Sequence, residues 1–155
     1  MNFGTADLND VKELTELRLA YLEEDSGAMG VETLISIQNS LPDYFSRHLN
    51  NDLIAYVSRD KQVIAACAFL LIVEKPMSPA FVTGKTGIVL NVYTRPDYRH
   101  RGCAKQLMEI LVDDAVKRGL SVVELKATDA GYQLYKKVGF DDAVSKYRHM
   151  KWTNT

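Results

Sequence analysis

The chain has 155 residues, a formal net charge of −1 and 25% charged residues. This length suffices for a single domain, residues 1–155, with a substantial core, and the small net charge gives no general attraction to nucleic acid or to acidic membranes. No signal peptide is evident, and the longest apolar run, residues 63–73, is too short to cross a bilayer as a helix, so we expect a cytoplasmic protein in which Cys67 and Cys103 are reduced.

The spacing of apolar residues predicts a strand and two helices in the N-terminal part of the chain. A short strand near Phe3 precedes a helix whose N-terminus is capped by Thr5 or Asp7. The apolar side of this helix carries Leu8, Val11, Leu14, Leu17 and Tyr21. Residues 23–27 break the helix, and a second helix follows that Pro42 divides or bends.

The middle of the chain predicts a hairpin followed by a loop and a further strand. Residues 53–58 and 63–73 form the hairpin around a turn at residues 59–61. The second arm is apolar on both faces, which is typical of a central strand covered by helices. Residues 74–85 contain two prolines and a glycine, which predicts a loop at a substrate mouth beside the next strand, residues 86–94.

The C-terminal part predicts a helix, a strand, a second helix and a last strand. The first helix begins at about Gly102, and the strand at residues 122–127 follows it, which implies parallel pairing with the preceding strand. The second helix is short, runs through Tyr135 and ends at Gly139. Alternation in the tail predicts a last strand around Tyr147, His149 and Lys151.

The run of residues 99–104, between a strand and a helix, is suited to binding a pyrophosphate. The first amides of a helix have no partner within it and lie at the positive end of its dipole. Gly102 allows close approach, the small Ala104 keeps the face open, and Arg99 and Arg101 add charged donors. A nucleic-acid patch and a solvated surface are the alternative interpretations of these cations.

These residues resemble the acetyl-CoA signature of the GNAT superfamily of N-acetyltransferases. The family pattern Arg/Gln-x-x-Gly-x-Gly/Ala is met by Arg99, Gly102 and Ala104. Residues 91–98 are similar to the family's strand and turn before the loop, and residues 134–140 to its late helix. The resemblance implies an α/β, GNAT-like fold: a mixed, mostly antiparallel central sheet with a splayed parallel strand pair, flanked by helices.

The resemblance also implies acetyl-CoA as the co-substrate, with no metal. Backbone groups of the strand would contact the pantetheine arm, and the loop would hold the pyrophosphate. The implied contacts are Val92, Tyr93, Thr94, Arg99, His100, Arg101, Gly102, Cys103, Ala104 and Lys105.

Three residues near this implied site have a second interpretation or depart from the family. Cys103 fills the variable position of the loop, and a nucleophilic thiol at a helix N-terminus is the alternative. In the late helix, Thr128 and Gly131 stand where the family often has asparagine and alanine. The Thr128 hydroxyl can still take part in a pantetheine contact.

For the chemistry, the resemblance implies that Tyr135 protonates the departing thiolate, and packing within the helix is the alternative role. The strand before the loop lacks the glutamate that many relatives use as a base. Glu74, Glu23 and Glu24 are the remaining candidates, acting through water. Glu23 and Glu24 also form, together with Asp25, an acidic helix end that is either solvated or part of a wall that binds the acceptor amine.

The sequence therefore predicts an acetyltransferase that acts on a primary amine of a small molecule or peptide by direct attack in a ternary complex. A non-catalytic acyl-CoA-binding or sensing module is the alternative, and an unrelated nucleotide-binding module is a more distant one. No pair among His48, His100 and His149 has the spacing of a metal site. The oligomeric state is left open, a homodimer included.

Overall fold

The computed structural model describes residues 1–154, which form five strands and four α-helices. In chain order these are β1 (Asn2–Thr5), α1 (Val11–Ser26), α2 (Val31–His48), β2 (Leu53–Asp60), β3 (Val63–Glu74), β4 (Lys85–Thr94), α3 (Cys103–Lys117), β5 (Val122–Glu124) and α4 (Asp129–Val138). One-turn 3₁₀ helices, Leu8–Asp10 and Pro96–Tyr98, precede α1 and α3. None of the helices within residues 1–154 has the length and apolar character needed to cross a bilayer.

The strands form one sheet in the order β1-β2-β3-β4-β5, antiparallel except for the β4–β5 pair. The mixed, mostly antiparallel sheet predicted from the sequence is thereby confirmed. Helices α1 and α2 cover one face, where Leu14, Leu17 and Phe45 are buried, and α3 and α4 cover the other. Strand β3 lies at the centre with both faces buried, which explains its unbroken apolar sequence.

The helix boundaries differ from those predicted near the N-terminus. The acidic run does not break α1, which continues through Ser26 and ends at Gly27, where φ is 78°. Asp7, one of the two predicted caps, accepts a hydrogen bond from the Asn9 amide at 2.8 Å, at the start of the 3₁₀ turn before α1. Helix α2 passes through Pro42 undivided, because a proline removes only one backbone donor and Phe45 in the next turn is buried against the sheet.

The hairpin turn also lies slightly later than predicted. Strand β2 continues through Asp60, so the turn consists of Lys61 and Gln62, with Lys61 in the left-handed region at a φ of 55°. Arg59 and Asp60 are consequently strand residues. Arg59 there binds Asp10 and joins β2 to the start of α1, with Nη2 and Oδ2 2.7 Å apart.

The C-terminal part confirms two predictions and corrects two others. Helix α3 follows Gly102, and α4 ends at Gly139 in the left-handed conformation of a C-cap. Strand β5 is only Val122–Glu124, since its pairing with β4 ends at Ile88 and Glu124. The last strand predicted around Tyr147, His149 and Lys151 is wrong: residues 141–154 make no backbone hydrogen bond to any strand and lie exposed.

Candidate active site

A cavity of about 1630 Å³ opens where β4 and the segment after β5 separate. Beyond Ile88, β4 keeps its antiparallel partner β3 but has no partner on the β5 side. The space is lined by the second half of β4, by residues 122–128, and by the N-terminus of α3, α4 and the C-terminal end of α1. The parallel pair is therefore splayed, and the cavity lies along unpaired strand backbone.

A bulge in β4 shapes one wall of this cavity. The register between β3 and β4 shifts between Cys67 and Phe69, and Asn91 opposite has a φ of 54°. Asn91 is buried, and its side chain binds both the Cys67 thiol at 3.5 Å and Arg18 Nη1 at 3.2 Å. The bulge thus ties the strand to α1, and Val92, Tyr93 and Thr94 continue along the cavity.

The loop before α3 turns free amides toward the same cavity. His100 and Gly102 both have left-handed backbone, with φ of 63° and 79°. The amides of residues 102–105 find no acceptor within residues 1–154, and the first helical bond is from Gln106 N to the Gly102 carbonyl at 3.1 Å. Four adjacent donors at a helix N-terminus form a site for an anion such as a pyrophosphate.

The predicted cations of the loop differ in their positions. Arg99 lines the cavity, but its Nη2 binds the Glu24 carboxylate at 2.7 Å and its Nε donates to the Thr94 carbonyl at 2.9 Å. The hydrogen bond to Glu24 raises the pKa of Arg99. His100 and Lys105 also line the cavity, whereas Arg101 lies over the Tyr98 ring and outside the lining.

The acidic residues considered as bases or as acceptor contacts are not brought together. Glu24 lines the cavity but is paired with Arg99. Glu23 and Glu74 are exposed and lie outside the lining. Asp25, the third carboxylate of the acidic helix end, does line the cavity. The base candidates Glu23 and Glu74 therefore have no place in the site.

Tyr135 lies half-buried on α4 and faces the cavity. Its ring packs edge-on against Phe140 with centroids 6.2 Å apart, and burial together with the nearby Tyr21 raises the pKa of its hydroxyl. Gly131 makes room for this ring, because a Cβ at that position would lie 2.9 Å from Tyr135 Cε2. Thr128 caps α4 by accepting from the Gly131 amide at 3.1 Å and keeps its own proton to donate.

Several cavity residues were missed by reasoning from the sequence. They are Arg18, Tyr21, Asn91 and Tyr132. A signal existed for Arg18, which lies four residues after the buried Leu14 and three before Tyr21, so it borders the apolar face of α1. Asn91 carried no comparable signal, because its burial depends on the bulge.

The two cysteines lie in different parts of the core. Cys67 lies in the core on the α1 face and Cys103 in the core on the α3 face, and both are free thiols. The buried Cys103 side chain packs with the core, while its backbone belongs to the loop. Within residues 1–154, His, Cys, Asp and Glu side chains form no group of three that could hold a metal ion.

Comparison with known proteins identifies a family over most of the chain. The model of the acetyltransferase (GNAT) family matches residues 13–140. A crystal structure of a predicted acetyltransferase from Clostridium acetobutylicum, with acetyl-CoA, is 30% identical, superposes with a TM-score of 0.82, and is matched over 97% of this chain and 95% of that chain. A GCN5-related N-acetyltransferase from Ralstonia eutropha is 23% identical, with a TM-score of 0.80 and coverage of 96% and 97%.

A curated relative is similar over a shorter stretch. The [ribosomal protein bS18]-alanine N-acetyltransferase of Escherichia coli is 30% identical over 69 residues, which is 43% of this chain and 47% of that protein. The match thus spans about half the length of this relative.

Proposed function

Because the chain belongs to the GNAT family of acetyltransferases, we propose that residues 1–155 act as a single domain that transfers the acetyl group of acetyl-CoA to a primary amine. The acceptor is a small molecule or a peptide, and it attacks directly in a ternary complex. One observation carries this proposal: the free amides of residues 102–105 and the side chain of Tyr135 open onto one cavity.

The residues present fit acetyl-CoA. Four unpaired amides at the start of α3 provide donors for the pyrophosphate, and His100 and Lys105 add positive charge when protonated. The backbone of Val92, Tyr93 and Thr94, which is unpaired on the β5 side, is the proposed contact for the pantetheine arm. Acetyl-CoA in the Clostridium acetobutylicum structure supports this assignment. Arg101 is a less suitable contact for the pyrophosphate than Arg99, because Arg101 lies outside the cavity lining.

Tyr135 is the proposed general acid. Acetyl-CoA supplies an acetyl group activated as a thioester. As the bond from the amine nitrogen to the acyl carbon forms and the carbon–sulfur bond breaks, the Tyr135 hydroxyl gives its proton to the sulfur, and the proton lost by the amine passes to solvent. Burial keeps this hydroxyl protonated at neutral pH by raising its pKa.

The names of the relatives favour catalysis over a binding-only module. The Escherichia coli relative is an alanine N-acetyltransferase that modifies a ribosomal protein, which supports an amine as the acceptor. We also propose a cytoplasmic location, because Cys67 and Cys103 lie on opposite faces of the sheet as free thiols and cannot pair.

The test is single-turnover acetyl transfer, measured as thiol release and product mass over a panel of amines, amino acids and peptides. Tyr135→Phe keeps the ring but removes the proton, so we expect the rate to fall about 10²–10⁴-fold with acetyl-CoA affinity unchanged. Tyr44→Phe, a half-buried tyrosine outside the cavity lining, is the matched control. An unchanged rate in Tyr135→Phe would return Tyr135 to a packing role.

A further inference from the structure

Arg18 is a cationic side chain of the cavity that the proposed chemistry does not use. It projects from α1, is half-buried and lines the cavity. Among residues 1–154, its one hydrogen bond runs from Nη1 to the neutral Asn91 Oδ1 at 3.2 Å, and its guanidinium lies over the Tyr21 ring at 5.7 Å. Within residues 1–154 it makes no ion pair, and its Nε and Nη2 donate to no acceptor.

This arrangement leaves one edge of the Arg18 guanidinium without an acceptor in the cavity that Tyr135 also lines. A partly buried guanidinium with only a neutral partner is costly, and a carboxylate relieves that cost most effectively by accepting two parallel hydrogen bonds. The Nε–Nη2 edge has the geometry for such a pair. Asn91 holds the opposite edge, since its amide is itself fixed by the Cys67 thiol at 3.5 Å.

Arg18 lines the same cavity as Tyr21 and the proposed acid, Tyr135. The Tyr21 ring contacts the guanidinium, and Tyr21 also contributes to the raised pKa of Tyr135. Of the nearby acids, Glu24 is bound to Arg99, and Asp25 lies seven residues further along α1, or about 10 Å along the helix axis. Neither acid neutralises Arg18 within the ion-pair distance.

We propose that Arg18 selects acceptors that carry a carboxylate in addition to the amine, such as free amino acids. This inference rests on the proposed acetyltransferase function and narrows its acceptor class. Arg18 would thereby distinguish a free amino acid from the N-terminus of a peptide, because in a peptide the corresponding carboxyl group is part of an amide.

The experiment compares pairs of acceptors that differ only in whether they carry a carboxylate or a carboxamide. The pairs are glycine, β-alanine and γ-aminobutyrate, each with its carboxamide. For each pair, the preference is the ratio of kcat/KM for the carboxylate to kcat/KM for the carboxamide. We expect Arg18→Gln to lower this ratio about 10- to 100-fold relative to the parent protein, which is the range for a charge-assisted contact. Differences in amine basicity cancel, because each pair is measured in both proteins.

Two further variants separate recognition from structure. Arg18→Lys keeps the charge but not the fork, so its ratio should lie between those of the parent and Arg18→Gln. Arg47→Gln, at an exposed arginine of α2 paired with Asp43, should leave the ratio unchanged. If Arg18→Gln lowers kcat/KM equally for the carboxylate and the carboxamide of each pair, Arg18 has a structural role and the inference is overturned.

The remaining outcomes are also decisive. If the carboxamides are acetylated and Arg18→Gln has the same ratio of kcat/KM values as the parent, the inference about Arg18 is overturned. The proposed acetyltransferase function would then still stand. Bound acetyl-CoA with no transfer to any carboxylate-bearing amine would overturn it as well. Failure to bind acetyl-CoA would instead contradict the proposed function, and calorimetry of the parent protein with acetyl-CoA measures this separately.

Discussion

The loop before α3 depends on the backbone conformation of single residues. Gly102 has a φ of 79°, and a Cβ built there would meet nothing within 4 Å. The glycine is therefore required by its left-handed conformation and not by lack of space. Gly30, at the start of α2, is equally open but has an ordinary φ of −59°.

These two N-cap glycines make a matched pair for a prediction. Left-handed backbone costs a residue with a Cβ about 1–2 kcal/mol, so Gly102→Ala should weaken acetyl-CoA binding about 5- to 30-fold. Gly30→Ala should leave binding unchanged, because its backbone already suits an alanine. Calorimetric titration with acetyl-CoA measures both variants, and equal affinities would show that the loop does not need this conformation to bind.

At the scale of elements, the end of α1 is tied to the loop before α3 by Glu24 and Arg99. From the sequence, the acidic helix end is either solvated or part of a wall that binds the acceptor, but the structure connects Glu24 to Arg99 in the proposed phosphate loop. Both side chains are substantially exposed, so the pair contributes little to stability. Its main effect is to neutralise a cation at the proposed phosphate site.

We accordingly expect Glu24→Gln to tighten acetyl-CoA binding at low salt, by less than about fivefold, because Arg99 is no longer neutralised. Glu23→Gln is the control, since Glu23 lies one position away and outside the cavity lining. Dissociation constants at two salt concentrations test this. Weaker binding in Glu24→Gln would mean that Glu24 instead holds Arg99 in place for the phosphate.

A second link between elements joins the start of α1 to β2 through Asp10 and Arg59. Burial alone would raise the pKa of Asp10, but hydrogen bonds from Arg59 and the Asp7 amide outweigh it and leave the pKa below its usual value. A lowered pKa in the folded state stabilises the protein above the unfolded-state pKa, and this stabilisation is lost as pH falls through the folded-state pKa.

Asp10→Asn should therefore lower the free energy of unfolding by about 1–3 kcal/mol at pH 7. The difference from the parent should shrink as the pH falls below about 4, where Asp10 begins to be protonated in the unfolded state, and should be lost as the pH falls through the lower pKa of the folded state. Urea unfolding of both proteins across this pH range measures the difference in their free energies of unfolding. Asp43→Asn removes an exposed pair with Arg47 and should show no such pH dependence, whereas a constant difference for Asp10→Asn would rule out an ionic origin.

At the scale of the whole molecule, the C-terminal tail leaves large apolar side chains uncovered. Val144, Tyr147, Met150 and Trp152 are each between 76% and 96% exposed, and β5 forms a sheet edge with a partner on one side only. Exposed apolar segments and open sheet edges are each typical of interaction surfaces. The homodimer left open by the sequence stays a prediction, and this tail is the segment through which we expect it to form.

Light scattering of the purified chain should give the mass of two copies, and replacing Tyr147 and Trp152 with serine should give the mass of one. Val82→Ser, at a loop valine 72% exposed, is the control for loss of exposed apolar surface alone. A monomeric parent protein would contradict the prediction.

The features that the sequence determined by itself are those encoded within a few neighbouring residues. The start of α3 at Gly102, the C-cap at Gly139 and the central position of β3 follow from local spacing, and the signature at residues 99–104 indicated the family. The predicted helix boundaries were wrong where the local sequence was ambiguous, as at the acidic end of α1 and at Pro42.

Only the tertiary structure decided which distant residues share the cavity. Arg18 meets Asn91 across 73 positions and Glu24 meets Arg99 across 75, and both contacts depend on how α1 packs against β4. The tail pattern suits a strand, but a strand also needs a neighbouring edge to supply its hydrogen bonds, and within residues 1–154 the tail pairs with none. Periodicity reports which side of a segment is apolar, whereas partners are set by the arrangement of the whole chain.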